Sequence, residues 1–335
     1  MLSANFSLAC LARPLQAALL FAAALGFPLA TASAQTQDYP SRPIRIVVGF
    51  PPGGSNDTVA RIIAPRLADV LGTPVVIDNR PGANATIGTD YVAKAAPDGY
   101  VVTLGSLSPL VLSPFTYAKL TYNTQKDFTP INTVAATPEV IAVHPSVPAK
   151  TMKELVELSK KKQVTLSSSG NGGLPHLGIE LLKNESKGDF LHVPYKGAGP
   201  AVTDTVAGHV QGVMMDLPAV SAMIADGRLR AIAVTNTNRN PVLPDTPTSA
   251  EQGFPGVMAV NWFALMAPAN TPKPIIDKLN AALLKVTAMP EVRAEFAKVG
   301  VEAFTQASPQ AFEKFLGQEM TRWGKIVKDS GAKAN

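Results

Sequence analysis

The chain has 335 residues, a formal net charge of +5, one cysteine and four histidines, and only 6% of it is aromatic. Its lysines and arginines are scattered, with Lys160-Lys161-Lys162 the densest run, which excludes nucleic acid as the partner and leaves attraction for small acidic solutes. So few histidines, and a single cysteine, exclude a transition-metal site.

The first 34 residues read as a signal peptide. Arg13 precedes an apolar stretch over 15–24, and Ala32-Ser33-Ala34 supplies the small-residue cleavage pattern. Cleavage after Ala34 removes Cys10, so the secreted product has no disulfide and depends on its core. The predicted location is the periplasm.

The next stretch predicts a strand over 44–50, rich in β-branched residues and covered on both faces. Pro51-Pro52 stops it, Gly53-Gly54 turns the chain, and Ser55, Asn56 and Asp57 each suit a helix N-cap. Val59, Ile62, Ile63, Leu67, Val70 and Leu71 follow at helical spacing, with Pro65 predicting a kink and Gly72 the end. The amides of such a helix start point beyond the strand's carboxyl end, where open α/β sheets bind ligands and where an anion is favoured. A tight βα turn with no ligand explains the same residues.

A strand at 75–77, a helix over 87–95 and a strand over 101–104 complete a βαβαβ unit with a parallel sheet. Its last loop carries Ser106 and Ser108. An irregular, turn-rich segment reaches Pro130, and a strand at 140–143 ends at His144-Pro145. A second βα series then begins with a helix over 152–160 and a strand at 164–166. The loop Ser167-Ser168-Ser169-Gly170-Asn171-Gly172-Gly173 leads into a helix over 176–183, repeating the strand, flexible loop and helix start of the opening stretch. Strand 190–193, the turn Pro194-Tyr195-Lys196-Gly197, helix 200–207, strand 213–216, helix 219–226 and strand 231–234 follow, then a loop over 238–256. Strand 262–266 returns to the first unit, and helices over 274–288, 291–299 and 309–327 close the chain, the last with Ser308 as N-cap.

No nucleophile elbow, phosphate-binding loop, dinucleotide turn or zinc-protease motif is present. Asp57 with His176 is the one faint acid/base pair. What remains is a set of binding parts. They are backbone nests at Gly53-Gly54-Ser55 and Ser169-Gly170-Asn171-Gly172, hydroxyls at Ser106, Ser108 and Ser168, and Tyr195-Lys196 on a third loop. His176 could donate to a ligand or pack. Asp57 could cap its helix or meet a ligand. Asp216, at a strand end, could receive a ligand ammonium or cap the helix that follows.

The chain resembles the Bug-type receptors, periplasmic solute-binding proteins of tripartite tricarboxylate transporters. The resemblance rests on motifs in order: Phe50-Pro51-Pro52-Gly53-Gly54-Ser55-Asn56-Asp57 with Ala60-Arg61, Asn79-Arg80-Pro81-Gly82-Ala83, and Ala96-Pro97-Asp98-Gly99-Tyr100. Then come Ser168-Ser169-Gly170-Asn171-Gly172 with His176-Leu177, His192-Val193-Pro194-Tyr195-Lys196-Gly197, Glu251-Gln252-Gly253 and Trp262-Phe263. It implies an α/β, type II periplasmic-binding-protein fold of two lobes, residues 35–143 plus 261–335 and residues 144–260, with a ligand cleft between them. It implies a carboxylate-bearing ligand gripped by the loop matching residues 51–57 and the loop matching residues 168–172. The expected partners are a small organic acid (a di- or tricarboxylate, an aromatic acid or an amino acid) and the membrane permease subunits. The protein is expected to be monomeric and non-catalytic, without cofactor. Gly173-Leu174 and Ser113-Pro114 depart from the family pattern and favour a less polar ligand. A sensory protein feeding a membrane kinase, or an enzyme on this scaffold, are the alternatives.

Overall fold

The computed structural model describes residues 39–334; the expected signal peptide lies outside the described residues. Strand β1 (Ile44–Val48) sends Ile44, Ile46 and Val48 into one core cluster and Val47 into the cluster on the other face, so it is covered on both sides as its sequence demands. Only Arg45 is exposed, and it pairs with Asp78. Helix α1 (Ser55–Leu71) follows, then β2 (Val75–Asn79), α2 (Thr86–Ala93) and β3 (Val101–Ser106). Both β2 and β3 lie parallel to β1.

Two expectations change in this first unit. Helix α1 begins at Ser55 with Gly54 as N-cap and no side-chain cap, so none of Ser55, Asn56 and Asp57 fills the capping position. The helix also runs unbroken through Pro65, which sits on its exposed face, where the carbonyl left without a donor meets water. Gly72 ends it in the left-handed conformation, as expected.

The turn-rich segment is more regular than its sequence suggests. Ser108–Leu112 forms a π-helical turn and Ser113–Thr116 one α-helical turn. Strand β4 (Phe128–Val143) then runs sixteen residues, far longer than the expected 140–143. Pro130 and Pro138 hide it in the sequence, and Pro130 is tolerated beside a register shift against the neighbouring strand. Next come α3 (Met152–Lys161), β5 (Val164–Ser168), α4 (Leu174–Ser186), β6 (Phe190–Pro194), α5 (Ala198–Val206), β7 (Gly212–Asp216), α6 (Leu217–Ala225) and β8 (Arg230–Val234). Strand β9 (Val260–Pro268), helices α7 (Lys273–Ala288) and α8 (Pro290–Lys298), the short β10 (Glu302–Ala303) and helix α9 (Pro309–Ser330) complete the chain. Ser308 caps α9 by accepting from the Ala311 N–H.

The strands are ordered β2-β1-β3-β9-β4-β7-β5-β6, with β8 and β10 also paired to β4. Strand β4 is therefore common to two sheet halves. Its residues up to Pro138 pair with β9, and Glu139 to Val143 pair with β7 and β8. Each half is packed on both faces, the first around Phe263, Leu283 and Phe296 and around Trp262, Phe312 and Trp323, the second around Leu166 and Met214 and around Val213 and Val220. The halves meet at Glu139, whose backbone joins Ala259 and Thr235. This crossing faces the carboxyl ends of β1, β3 and β7, and there the candidate site lies.

Candidate ligand cleft

A cavity of about 210 Å³ lies where the carboxyl ends of β1, β3 and β7 meet. Phe50, Pro51, Pro52, Gly54, Ser55 and Asn56 form one wall, Ser106 and Ser108 another, and Ser169, Ala198, Gly199 and Pro200 face them from the second half. Met215, Asp216 and Asn261 also line the cavity. A wider cavity of about 700 Å³ shares Phe50, Pro51 and Ser169 with it and opens outward past Gly170, Asn171, Tyr195, Lys196, Gly197 and the turn at 81–85. The smaller cavity is the candidate binding chamber, because the helix starts and the polar side chains converge on it.

Two helices begin at its wall. In α1 the first intrahelical bond is Thr58 N–H to the Gly54 carbonyl, so the amides of Ser55 and Asn56 lie ahead of the ladder. Helix α5 starts at Ala198 and Gly199 on the opposite side. Its N-cap Gly197 has φ +105°, and an added Cβ there would sit 3.2 Å from Pro51, so the loops of the two halves already touch across the cavity. Two helix N-termini thus line one small cavity whose wall has no lysine, arginine or histidine.

The side chains around the chamber are fixed by backbone groups. Asn56 Nδ2 donates to the Leu104 carbonyl at 3.3 Å, and Ser108 Oγ accepts the Leu174 N–H at 3.0 Å. Asn261 Oδ1 accepts the Leu107 N–H, which turns its Nδ2 toward Asp216, 3.1 Å from each carboxylate oxygen. Asp216 is the N-cap residue of α6 but makes no side-chain cap. Behind it, in register across the β4–β7 ladder, stands Glu139, wholly buried and with no donor for either oxygen. Burial, and then the charge of Asp216, push the Glu139 carboxyl well above its ordinary range. Burial raises Asp216 as well, against the lowering pull of Glu139, Asn261 and Ser55. Of the two carboxyls, Glu139 is thus the one pushed further toward its neutral form.

Several expected contact residues support the walls from behind. Asp57 is buried, and its carboxylate is spent on the Gly53 N–H (2.9 Å), Arg61 Nε (2.7 Å) and Asn79 Nδ2 (3.0 Å). Burial alone would raise it, but Arg61, Gly53 and Asn79 outweigh that and hold it below the usual range. Gly53 gives its amide to Asp57 and needs its φ of +84° to make the turn, so neither residue reaches the chamber. Ser168 is buried under its own loop, bonded to Gly170 and to His192 Nε2. Gly172 donates to His176 Nδ1 at 3.0 Å, and His176 stacks on His192 with centroids 4.0 Å apart. The start of α4 therefore has its amides at Gly172 and Leu174 already bonded, and the Gly170 amide is held by Ser168, while Ser169, Gly170 and Asn171 line the cavities. Asp57 and His176, each held by neighbours of its own, form no acid/base pair. Gly173, Leu174, Ser113 and Pro114 line neither cavity, so the family departures there carry no statement about ligand polarity.

The sequence reading missed Ala198, Gly199 and Asn261 as wall residues. It also missed Asn84. Three consecutive non-glycine residues, Ala83, Asn84 and Ala85, take left-handed angles before α2, and both polar atoms of Asn84 are buried without a partner at the edge of the wider cavity. Among the described residues no cluster of three or more His, Cys, Asp or Glu could hold a metal ion, and no helix is long and apolar enough to cross a membrane.

A family model described as the tripartite tricarboxylate transporter family receptor matches residues 59–332. The chain belongs to that receptor family. The protein BugT of Bordetella pertussis is 37% identical over 318 residues, spanning 93% of this chain and 97% of that one. An R. palustris protein solved with adipate superposes with a TM-score of 0.85 at 32% identity, covering 88% of this chain and 99% of the other. MatC from Rhodopseudomonas palustris, solved with bound malate, gives 0.80 at 31%, covering 86% and 100%. The fold is that of the periplasmic solute-binding proteins, and the protein is a solute-binding receptor serving a transporter, not an enzyme.

Proposed function

We propose that the protein captures a small carboxylate-bearing solute in the cleft, closes its two lobes on it and hands it to the permease subunits of a tripartite transporter. On this reading the lobes are residues 35–143 with 261–335 and residues 144–260, and the chain works as a monomer in the periplasm after losing residues 1–34. The ligand carboxylate is held by the amides of Ser55 and Asn56 from one lobe and of Ala198 and Gly199 from the other. Phe50, Pro51, Pro52 and Gly54 shape the pocket, and Ser106, Ser108 and Ser169 add hydroxyls. Gly170, Asn171, Tyr195, Lys196 and Gly197 flank the wider mouth. What carries this reading is the convergence of two helix starts from opposite halves on one small chamber (about 210 Å³) whose wall has no lysine, arginine or histidine.

Relatives solved with adipate and with malate support a carboxylic acid as the ligand class. The test is a thermal-shift and calorimetric panel of mono-, di- and tricarboxylates, aromatic acids and amino acids. A ligand at a hundredfold its Kd stabilises the native state by about 2.7 kcal/mol. A flat response across the panel would overturn the proposal.

A further inference from the structure

We propose that Asp216 makes its part of the chamber wall a subsite for a hydrogen-bond donor, so that the preferred ligand is a monocarboxylate bearing an ammonium or hydroxyl group rather than a dicarboxylate. The inference rests on the carboxylate-receptor reading above and names its ligand class.

Asp216 is 9% exposed and lines the chamber, and it is the charged side chain of that wall. Its carboxylate is not spent on a helix cap. A carboxylate offers about four lone-pair positions. The protein meets it with one donor atom, Asn261 Nδ2, 3.1 Å from each oxygen. No cation of the chain lines the chamber with it. Asn261 cannot turn its carbonyl oxygen toward the ligand in place of its amide nitrogen, because that oxygen holds the Leu107 N–H. Helix-start residues and the acceptor Asp216 thus line the same chamber.

A molecule bearing both a carboxylate and a hydrogen-bond donor satisfies both. A second carboxylate placed against Asp216 meets a like charge with little water to screen it. The chamber volume, below the ~300–1,000 Å³ of sites for drug-sized ligands, restricts the ligand to a short carbon chain.

The experiment is calorimetry on the purified protein with matched series of three to six carbons: 2-amino acids, ω-amino acids, ω-hydroxy acids, simple monocarboxylates and dicarboxylates including adipate and malate. The expected result is that a donor-bearing acid binds at least about tenfold tighter than the simple acid and the dicarboxylate of its length, the worth of one charge-assisted hydrogen bond. Asp216→Asn should remove that preference while a thermal melt confirms folding. A dicarboxylate as the tightest ligand of the unmodified protein overturns the inference even where Asp216→Asn fails to fold, and it leaves the receptor reading standing. No binding by any compound overturns both.

Discussion

Replacing Gly54 by valine separates the binding role of the β1–α1 turn from its structural one. The backbone there has φ −82° and ψ 172°, ordinary extended angles for a β-branched residue. A Cβ built on Gly54 meets nothing within 4 Å except the Pro51 carbonyl oxygen at 3.6 Å. Losing glycine at an N-cap costs at most about 1 kcal/mol, and a stiffer unfolded chain returns ~0.4–1 kcal/mol. The melting temperature should therefore move by less than about 4 °C. Gly54 lines the chamber, however, and an isopropyl group there stands over the amides of Ser55 and Asn56. Blocking two charge-assisted hydrogen bonds of roughly 1.5–3 kcal/mol each weakens binding by about 10²–10⁴-fold. The assay is calorimetry with whichever panel acid binds the unmodified protein most tightly, beside melts without ligand. Affinity retained within twofold would refute the placement of the carboxylate at α1. A fall in melting temperature as large as that of a core truncation would show that the turn is purely structural.

Glu139→Gln should stabilise the protein, because the amide donates to Asp216 without a proton having to be retained. A carboxyl raised on folding contributes stability at low pH and loses it as pH rises above the unfolded value, so the gain, about 1 kcal/mol or more, should be larger at pH 8 than at pH 5 in paired thermal melts. Burial lowers His192 to about 3, with His176 and Lys183 adding to it, and burial lowers His176 too. His192 stays neutral when folded while the unfolded chain takes up a proton below its ordinary value of ~6.5, so stability should fall by up to about 1.4 kcal/mol per pH unit as pH drops toward 3, and His176 adds to the fall in the same direction. Urea titrations between pH 7.5 and 4 check this, and His192→Gln should flatten the curve. Asp57→Ala removes the acceptor for Gly53, Arg61 and Asn79 and should cost roughly 2–4 kcal/mol, read as a lower denaturation midpoint at unchanged m-value.

Local signals were legible in the sequence and tertiary ones were not. The strand 44–48, its double-sided burial and the helix after Gly53-Gly54 follow from β-branched periodicity and backbone-permissive residues within a few positions. The role of Asp57 was not legible, because a carboxylate three residues into a helix looks the same whether it faces a ligand or folds back. What decides is Asn79, at the end of β2, which reaches it at 3.0 Å. The loop at 168–172 reads as an anion nest by composition, yet His176 and Ser108 take two of the amides at the α4 start, and Ser108 comes from the other half of the sheet. The helix start at Ala198-Gly199 is legible as a helix from Pro200 onward, but nothing in its composition marks it as facing the chamber. Glu139 was invisible for a related reason, since Pro138 argues against a strand where β4 in fact continues.

The chamber wall divides its donors between the two halves, and this bears on how a receptor can hold a solute and yet release it. A single arginine would keep its charge near the ligand whether the cleft were open or shut. Amides at Ser55 and Asn56 on one side and at Ala198 and Gly199 on the other do not, because each pair acts over hydrogen-bond distance. Parting the lobes by a few ångströms would leave the solute with one pair only. At roughly 1.5–3 kcal/mol per charge-assisted bond, that loss weakens binding by a hundredfold or more. Asp216 adds to the same dependence: it stands in the second half, while Ser55 beside it belongs to the first and Asn261 to a strand at the crossing. On the proposed reading, then, neither half is a binding site alone, and opening the cleft is by itself enough to deliver the ligand.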